Sequence, residues 1–212
     1  MKVGILGSGS VGQTLGSGFL AKGHQVVIGT REPAKLAAWA GKNPGATVGS
    51  FADAAAFGDI VVLATKGTAA LQSLKLAGTA ALAGKIVMDA TNPIADVPPT
   101  DGVLKFFTTH DQSLMEQLQA EVPAARFVKA YSCVGAPNMV DPKFAGGRPT
   151  MFICGNDATA KATVAGILDA FGWDAEDMGP AIAARAIEPL CILWCIPGFA
   201  KNDWVHAFKM LR

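Results

Sequence analysis

The sequence predicts an α/β fold, a doubly wound parallel sheet of the Rossmann type followed by a C-terminal helical extension. Three observations predict it. Short β-branched runs alternate with segments of helical periodicity, a glycine-rich turn separates the first run from the first helix, and the distances between runs suit crossover helices. Parallel strands require such long return connections, whereas antiparallel neighbours do not.

Taken in order, buried strands are expected at Val3 to Leu6, Val26 to Ile28, Ile60 to Leu63, Ile86 to Met88 and Phe127 to Lys129. A weaker strand at Thr47 to Val48 completes the first βαβαβ half. Helices are expected at Val11 to Lys22, Pro33 to Lys42, Ser50 to Phe57 and Thr68 to Leu82, with Gly78 an interruption in the last. After Ile94, the composition from Asp96 to Gly102 is that of a surface loop, and a helix follows from about Asp111 to Glu121. A strand at Thr150 to Cys154 leads through an Asn156-Asp157 cap into a helix ending near Phe171-Gly172. The tail is mainly helical, broken at Pro189 and again at Pro197-Gly198.

Composition narrows the function classes. Half of the 212 residues are hydrophobic, 17% are charged and 24 are glycine, the profile of a compact enzyme domain with many short turns. The net charge of +1 arises from 18 basic and 17 acidic residues, so no global field attracts nucleic acid or an anionic membrane. Cys133, Cys154, Cys191 and Cys195 lack C-x-x-C spacing, and the three histidines are scattered, so no metal site is expected. A reduced cytoplasmic protein is the expectation. Cys191 and Cys195, one helical turn apart, read as small core residues. The first residues enter the glycine turn without the apolar stretch of an export signal. The run from Ile187 to Ile196 is interrupted by Glu188 and Pro189 and is shorter than the ~20 residues a bilayer span needs, so membrane insertion is not expected.

Gly7-Ser8-Gly9-Ser10-Val11-Gly12 is a complete G-x-G-x-x-G in the required context, after a strand and opening a helix. Gly7 permits the tight turn, Gly9 lets backbone approach a pyrophosphate, and Gly12 packs helix on strand. Backbone N–H groups and the helix dipole complete an anion site. Residues 1–178 are accordingly expected to form a dinucleotide-binding domain, with 179–212 an extension packed on it or on a partner subunit.

The end of the second strand selects the dinucleotide. An NAD site carries a carboxylate there to bind the ribose hydroxyls, whereas this chain reads Gly29-Thr30-Arg31-Glu32-Pro33. Arg31 can take a 2′-phosphate in fork geometry, Thr30 can donate a hydroxyl, and Lys35 adds a point charge, which favours NADP. The alternative leaves Arg31 and Lys35 solvated and Glu32 on the ribose.

Ligands of doubly wound sheets lie across the carboxyl ends of the strands, which makes Ala64-Thr65-Lys66, Asn92, Ser132 and Ala136 candidate contacts. Turn chemistry alone accounts for Asn92-Pro93. No serine or cysteine has a base in a recognisable motif, which hydride transfer does not require. The speculative proton donors for a carbonyl substrate are Tyr131, Lys66 and His110.

These residues resemble the NADPH-dependent reductases of the deazaflavin coenzyme and their bacterial relatives described as dinucleotide-binding proteins. The same module resembles the cytosolic domain of membrane ferric reductases. The likeness runs over about the whole chain, through Gly7 to Gly12, Gly29-Thr30-Arg31, Asp89-Ala90-Thr91-Asn92-Pro93 and, most specifically, Val128 to Ala136. It implies pyrophosphate at Ser8 to Val11, 2′-phosphate at Thr30, Arg31 and Lys35, and nicotinamide near Asn92 and Ala136. Ser132 stands where the family carries histidine or asparagine, and Lys66 where proline is common.

The segment from Pro189 to Phe199 is apolar on every helical face and is expected to be buried all round, against a second subunit, as a pocket wall presenting Trp194 or Phe199 to a flat ring, or as plain core. A homodimer through it is one expectation. The function expected is an NADPH-dependent oxidoreductase passing hydride to a small-molecule electron acceptor, a flavin, deazaflavin or similar ring. A non-catalytic NADP(H) sensor and a carbonyl or imine reductase are the alternatives.

Overall fold

A computed structural model describes all 212 residues, Met1 to Arg212. The first half consists of β1 (Lys2–Leu6), α1 (Ser10–Ala21), β2 (Gln25–Gly29), α2 (Ala37–Lys42), β3 (Ala46–Gly49), α3 (Phe51–Phe57), β4 (Ile60–Leu63), α4 (Gly67–Ala77), α5 (Thr79–Leu82) and β5 (Ile86–Asp89). It continues with α6 (Leu114–Glu121), β6 (Arg126–Lys129), β7 (Thr150–Ile153), α7 (Ala158–Ala170), β8 (Asp174–Asp177), α8 (Ala184–Ile187) and α9 (Leu190–Lys201). The main sheet has six parallel strands in the order β3-β2-β1-β4-β5-β6, so the strand order reverses between β1 and β4. The doubly wound fold and its C-terminal helix match the expectation.

The period of two along the strands divides the core. Val3, Ile5, Val62 and Val128 point to the layer of Leu15, Phe19 and Trp173, while Leu6, Val61, Val87 and Phe127 point to that of Leu74 and Leu118. Burial on both faces explains why these strands read as continuous apolar runs.

Several boundaries differ from the sequence expectation. The segment at Pro33 to Lys42 divides into a 3-10 turn, Pro33–Leu36, and α2. Gly78, at φ 85°, separates α4 from α5. Helix α6 starts at Leu114 because Ser113 and Glu116 cap it reciprocally. Strand β7 stands outside the main sheet, pairs in parallel with β8, and is tied to β6 by the Lys129 N–H donating to the Cys154 carbonyl at 2.9 Å. Asp174-Ala175-Glu176-Asp177 has no apolar alternation, so β8 is held by backbone pairing that its composition does not announce.

The C-terminal helical turns run from Ala181 to Lys201, 21 residues containing an 18-residue window of mean hydropathy 1.5, long and apolar enough to cross a membrane by length and composition alone, unlike the shorter run seen in the sequence. Their middle residue of interest, Glu188, is instead buried against Lys129, and Cys191, Trp194 and Cys195 face the core. The expectation of burial all round for Pro189 to Phe199 is corrected: Leu193 and Phe199 are 54% and 44% exposed, because one face of the segment is covered and the other is not. Trp194 stacks on His206 and Phe199 meets Trp204 edge-on.

Arg185 joins this segment to α6 through Glu116, with Nη2 2.7 Å from Oε1 and Nε 2.9 Å from Oε2. The Arg185 bonds hold the Glu116 carboxyl down to about 2, against the opposing effect of its partial burial. A carboxyl depressed in the folded state contributes stability that is complete above its unfolded value and lost as pH falls toward the folded one. Acid titration of the melting temperature should therefore lose stability from about pH 4.5 toward about pH 2, and Glu116→Gln should flatten that slope. An unchanged slope would refute this assignment.

Candidate functional site

The phosphate turn begins where β1 ends. Gly7 adopts φ 127°, a conformation that side chains resist, and a Cβ there would overlap the Ala64 carbonyl oxygen. A Cβ on Gly12 would overlap the Gly7 carbonyl oxygen, whereas one on Gly9 would meet nothing within 4 Å, so Gly9 is the open side of the turn. Helix α1 starts at Ser10 with neither a side-chain cap nor an acidic residue in its first turn. Its leading N–H groups keep their capacity for an anion.

At the end of β2, the Thr30 hydroxyl donates to Ser8 Oγ at 2.9 Å and accepts the Glu32 N–H at 3.1 Å. Thr30, Arg31, Glu32 and Lys35 line a cavity of about 270 Å³ together with Gly7, Ser8 and Gly9. Lys35 lies 2.9 Å from the Glu32 carboxylate, and this bond holds Glu32 below the usual carboxylate range. The pair is well exposed, so water screens it and the ammonium is readily exchanged for a stronger anion.

Thr65 and Lys66, at the end of β4, line this cavity and also a second one of about 680 Å³. The second cavity is walled by Asn92, Ile94, Val97 and Pro98, and Lys66 faces Asp96 across 3.4 Å. The two spaces thus form one groove along the carboxyl edge of the sheet, from the cationic corner to Asn92. Its floor is tight, because a Cβ on Gly67 would overlap the Asn92 carbonyl oxygen.

Asn92 Nδ2 donates to the Ser132 carbonyl at 3.0 Å, joining the ends of β5 and β6. Three buried polar atoms here, Thr65 Oγ1, Asn92 Oδ1 and Ser132 Oγ, have no protein partner. Buried polar atoms are ordinarily satisfied, so three unsatisfied ones at adjacent strand ends fit a polar ligand such as a nicotinamide nucleotide.

The structure brings Gly7, Ser8, Gly9, Thr30, Arg31, Lys35, Ala64, Thr65, Lys66 and Asn92 to this groove. Ser10, Val11, Gly12, Ser132 and Ala136 line neither space. Gly12 and Ser132 lie beneath the surface, and Val11 and Ala136 pack against the adjoining core. Sequence reasoning missed Phe51, Gln72 and Leu76, which line the cationic end. The signal was the Ala69, Gln72-Ser73, Leu76 spacing, one face of α4. Of the suggested acids, Tyr131 is 1% exposed beside Trp173 and burial pushes its phenol well up, while His110 lines a separate cavity with Arg185. Only Lys66 reaches the groove. Cys133, Cys191 and Cys195 are buried free thiols around Trp194.

Behind the groove lies a buried charge cluster that sequence reasoning also missed. Lys129 Nζ contacts Asp89 Oδ2 at 2.6 Å, Glu188 Oε1 at 2.9 Å and the Thr91 carbonyl at 2.9 Å. Asp89 Oδ1 accepts the Thr91 N–H and hydroxyl, and Glu188 accepts the Leu114 and Met115 N–H groups. Burial alone would lower the ammonium, but the two carboxylates raise it to about 12.

A switch-point groove with a glycine phosphate turn at one end and an open cavity at the other defines a dinucleotide-dependent oxidoreductase. Residues 2–93 match the family described as NADP oxidoreductase, coenzyme F420-dependent. The chain is 37% identical to a candidate F420-dependent NADP-reductase from Arthrobacter sp. fb24, with 100% of each chain covered and a TM-score of 0.94. It is 33% identical to Metalloreductase STEAP3 of Rattus norvegicus over 92% of this chain, and spans 38% of the length of that relative. An imine reductase from Aspergillus terreus, 19% identical with a TM-score of 0.68, covers 95% of this chain and 63% of its own, and shares the fold. The chain belongs to the family of NADP oxidoreductases.

Gly67→Ala tests the groove floor. Overpacking against fixed backbone costs about 1–3 kcal/mol, and each kcal/mol lowers the melting temperature of a chain this size by about 2–4 °C. A thermal melt unchanged by the substitution would contradict the contact between α4 and the Asn92 loop.

Proposed function

We propose that the chain is an NADPH-dependent reductase that passes hydride to a flavin, a deazaflavin or a similar flat conjugated acceptor. The observation that carries this reading is the continuity of the groove, from Arg31 and Lys35 through Thr65 and Lys66 to the larger cavity beside Asn92. Bound along it, the cofactor supplies a hydride from its nicotinamide ring.

The residues of the chain supply the rest. The uncapped start of α1 receives the pyrophosphate on backbone N–H groups. Arg31 takes the 2′-phosphate in a two-pronged hydrogen bond, Thr30 orients Ser8 beside it, and Lys35 leaves Glu32 to add its charge. Thr65 and Asn92 meet the polar atoms of the nicotinamide end, which gives their unpartnered oxygens a role. Ile94, Val97 and Pro98 form an apolar wall that excludes water from an acceptor stacked at the open cavity. Transfer between two conjugated rings needs positioning more than an acid, and the groove offers only Lys66 as a proton source. That weighs against carbonyl or imine reduction, and the open cavity weighs against a sensor without turnover.

Stopped-flow absorbance with NADPH and a panel of flavins and the deazaflavin tests the acceptor class. Rapid oxidation of NADPH by at least one ring is expected, and none by any of them would overturn the assignment. Arg31→Ala should weaken NADPH binding by about 10–100-fold, the worth of a charge-assisted pair, and leave NADH binding nearly unchanged. Equal losses for both nucleotides, measured by fluorescence titration, would remove Arg31 from the 2′-phosphate.

A further inference from the structure

The buried cluster of Lys129, Asp89 and Glu188 has a charge that folding alone does not require. Its members are 0%, 0% and 1% exposed. The ammonium donates to the Thr91 carbonyl and lies within ion-pair distance of Asp89 Oδ2 and Glu188 Oε1. Each oxygen of Glu188 accepts a backbone N–H, and Oε1 also faces the ammonium. With one ammonium and two carboxylates, the cluster carries a formal charge of −1.

The surroundings leave that charge largely uncancelled. Arg185 is paired with Glu116, and Lys66 with Asp96, so each neighbouring pair is neutral. Lys161 is paired with Asp177. The N-terminus of α6, whose first two N–H groups meet Glu188, contributes a partial positive charge of about half a unit, which offsets only part of the excess.

The cluster also lies one layer behind the cavity beside Asn92. Thr91, bonded to both Asp89 and Lys129, directly precedes Asn92 in the chain. On the other side, the Gly67 Cα faces the Leu114 side chain, and the Leu114 N–H donates to Glu188. The Thr91-Asn92 backbone and the approach of Leu114 to Gly67 thus link cluster and cavity.

We propose that this cluster biases the bound dinucleotide toward its oxidised form, so that the chain is built as a hydride donor. The inference rests on the reading that the nicotinamide end lies beside Asn92. The oxidised nicotinamide carries a positive charge that the reduced ring lacks, so a fixed negative charge behind the ring stabilises the oxidised form selectively. When hydride leaves the reduced ring, its two electrons and proton go to the flavin-class acceptor and the ring becomes cationic, and the cluster favours that change. Asp89, Lys129 and Glu188 touch neither reactant and act as positioning and electrostatic residues. In a poorly screened interior the effect is substantial: one unit charge at about 10 Å, with an effective dielectric of about 20, changes a binding ratio roughly tenfold.

The readout is the ratio of dissociation constants for NADP+ and NADPH, measured by calorimetry on the full chain without acceptor. Glu188→Gln and Asp89→Asn each bring the cluster to zero charge, and each should raise the ratio, weakening NADP+ relative to NADPH by roughly three- to tenfold. Glu188→Asp alters the side-chain length but keeps the cluster at −1 beside its ammonium and should leave the ratio near the wild-type value, which a purely structural role would not do. Two independent neutralising positions keep the test available if one variant fails to fold. An unchanged ratio in either folded neutralising variant, or a Glu188→Asp variant shifted as far as E188Q, would overturn the proposal. Failure of the wild-type chain to bind either nucleotide would instead overturn the reading of the groove on which it rests.

Discussion

One buried ammonium constrains the carboxyl edge of the sheet. Lys129 closes β6, and its Nζ reaches Asp89 at the end of β5, the Thr91 carbonyl in the loop beyond it, and Glu188 in the C-terminal segment. Its backbone N–H meanwhile holds Cys154 at the end of β7. Removing one partner from such a cluster strands a charge away from water and costs about 3–5 kcal/mol, whereas well-packed apolar residues in place of all of them would be about as stable. Cohesion is therefore not what distinguishes the charged arrangement. Its distinctive effect is directional, because Glu188 has one acceptable position, between Lys129 and the first two N–H groups of α6, and that position sets how the C-terminal helix meets the sheet.

The groove follows from the same edge. Parallel strands end together, and their reversal in order between β1 and β4 leaves a crevice into which the phosphate turn opens. The two halves of the crevice differ in how their polar groups are kept. The Arg31 end is solvent-exposed, with Lys35 and Glu32 in an exchangeable pair. The Asn92 end holds buried, unsatisfied oxygens on a rigid frame. Exposed charge binds an anion by displacing water, whereas buried polar atoms discriminate by shape and hydrogen-bond pattern. A dinucleotide with a phosphorylated ribose at one end and a carboxamide at the other suits that division.

The outward face of α9 shows the limit of such packing. Glu188, Cys191, Trp194 and Cys195 are turned inward by the cluster and by the tail, where the His206 carbonyl accepts from Trp194 Nε1 at 2.9 Å and the Trp194 carbonyl contacts His206 Nε2 at 2.9 Å. Leu193 and Phe199 remain outside because the tail covers one side only. Apolarity all round a helix is thus compatible with burial of half of it.

The sequence by itself determined the strands, their parallel order as a class, the glycine turn between β1 and α1, and the placing of Thr30 and Arg31 at the end of β2 with Lys35 nearby. Each of these is local: periodicity, glycine spacing and the residues just after a strand lie within one stretch of chain. The pairing of β7 with β8 was not legible, because Asp174 to Asp177 carries no apolar alternation. Neither was the unfinished hydrogen bonding of Ser132, which depends on what stands opposite; the α4 face carrying Gln72 and Leu76 shows in the sequence as a helical spacing, but what that face lines does not. Asp89, Lys129 and Glu188 are each visible as a charge at the end of an apolar strand or within an apolar run. Only tertiary structure brought them together, because a buried charge is tolerable solely beside its counter-charge, and that partner lies 40 and 59 residues away from Lys129 in the chain.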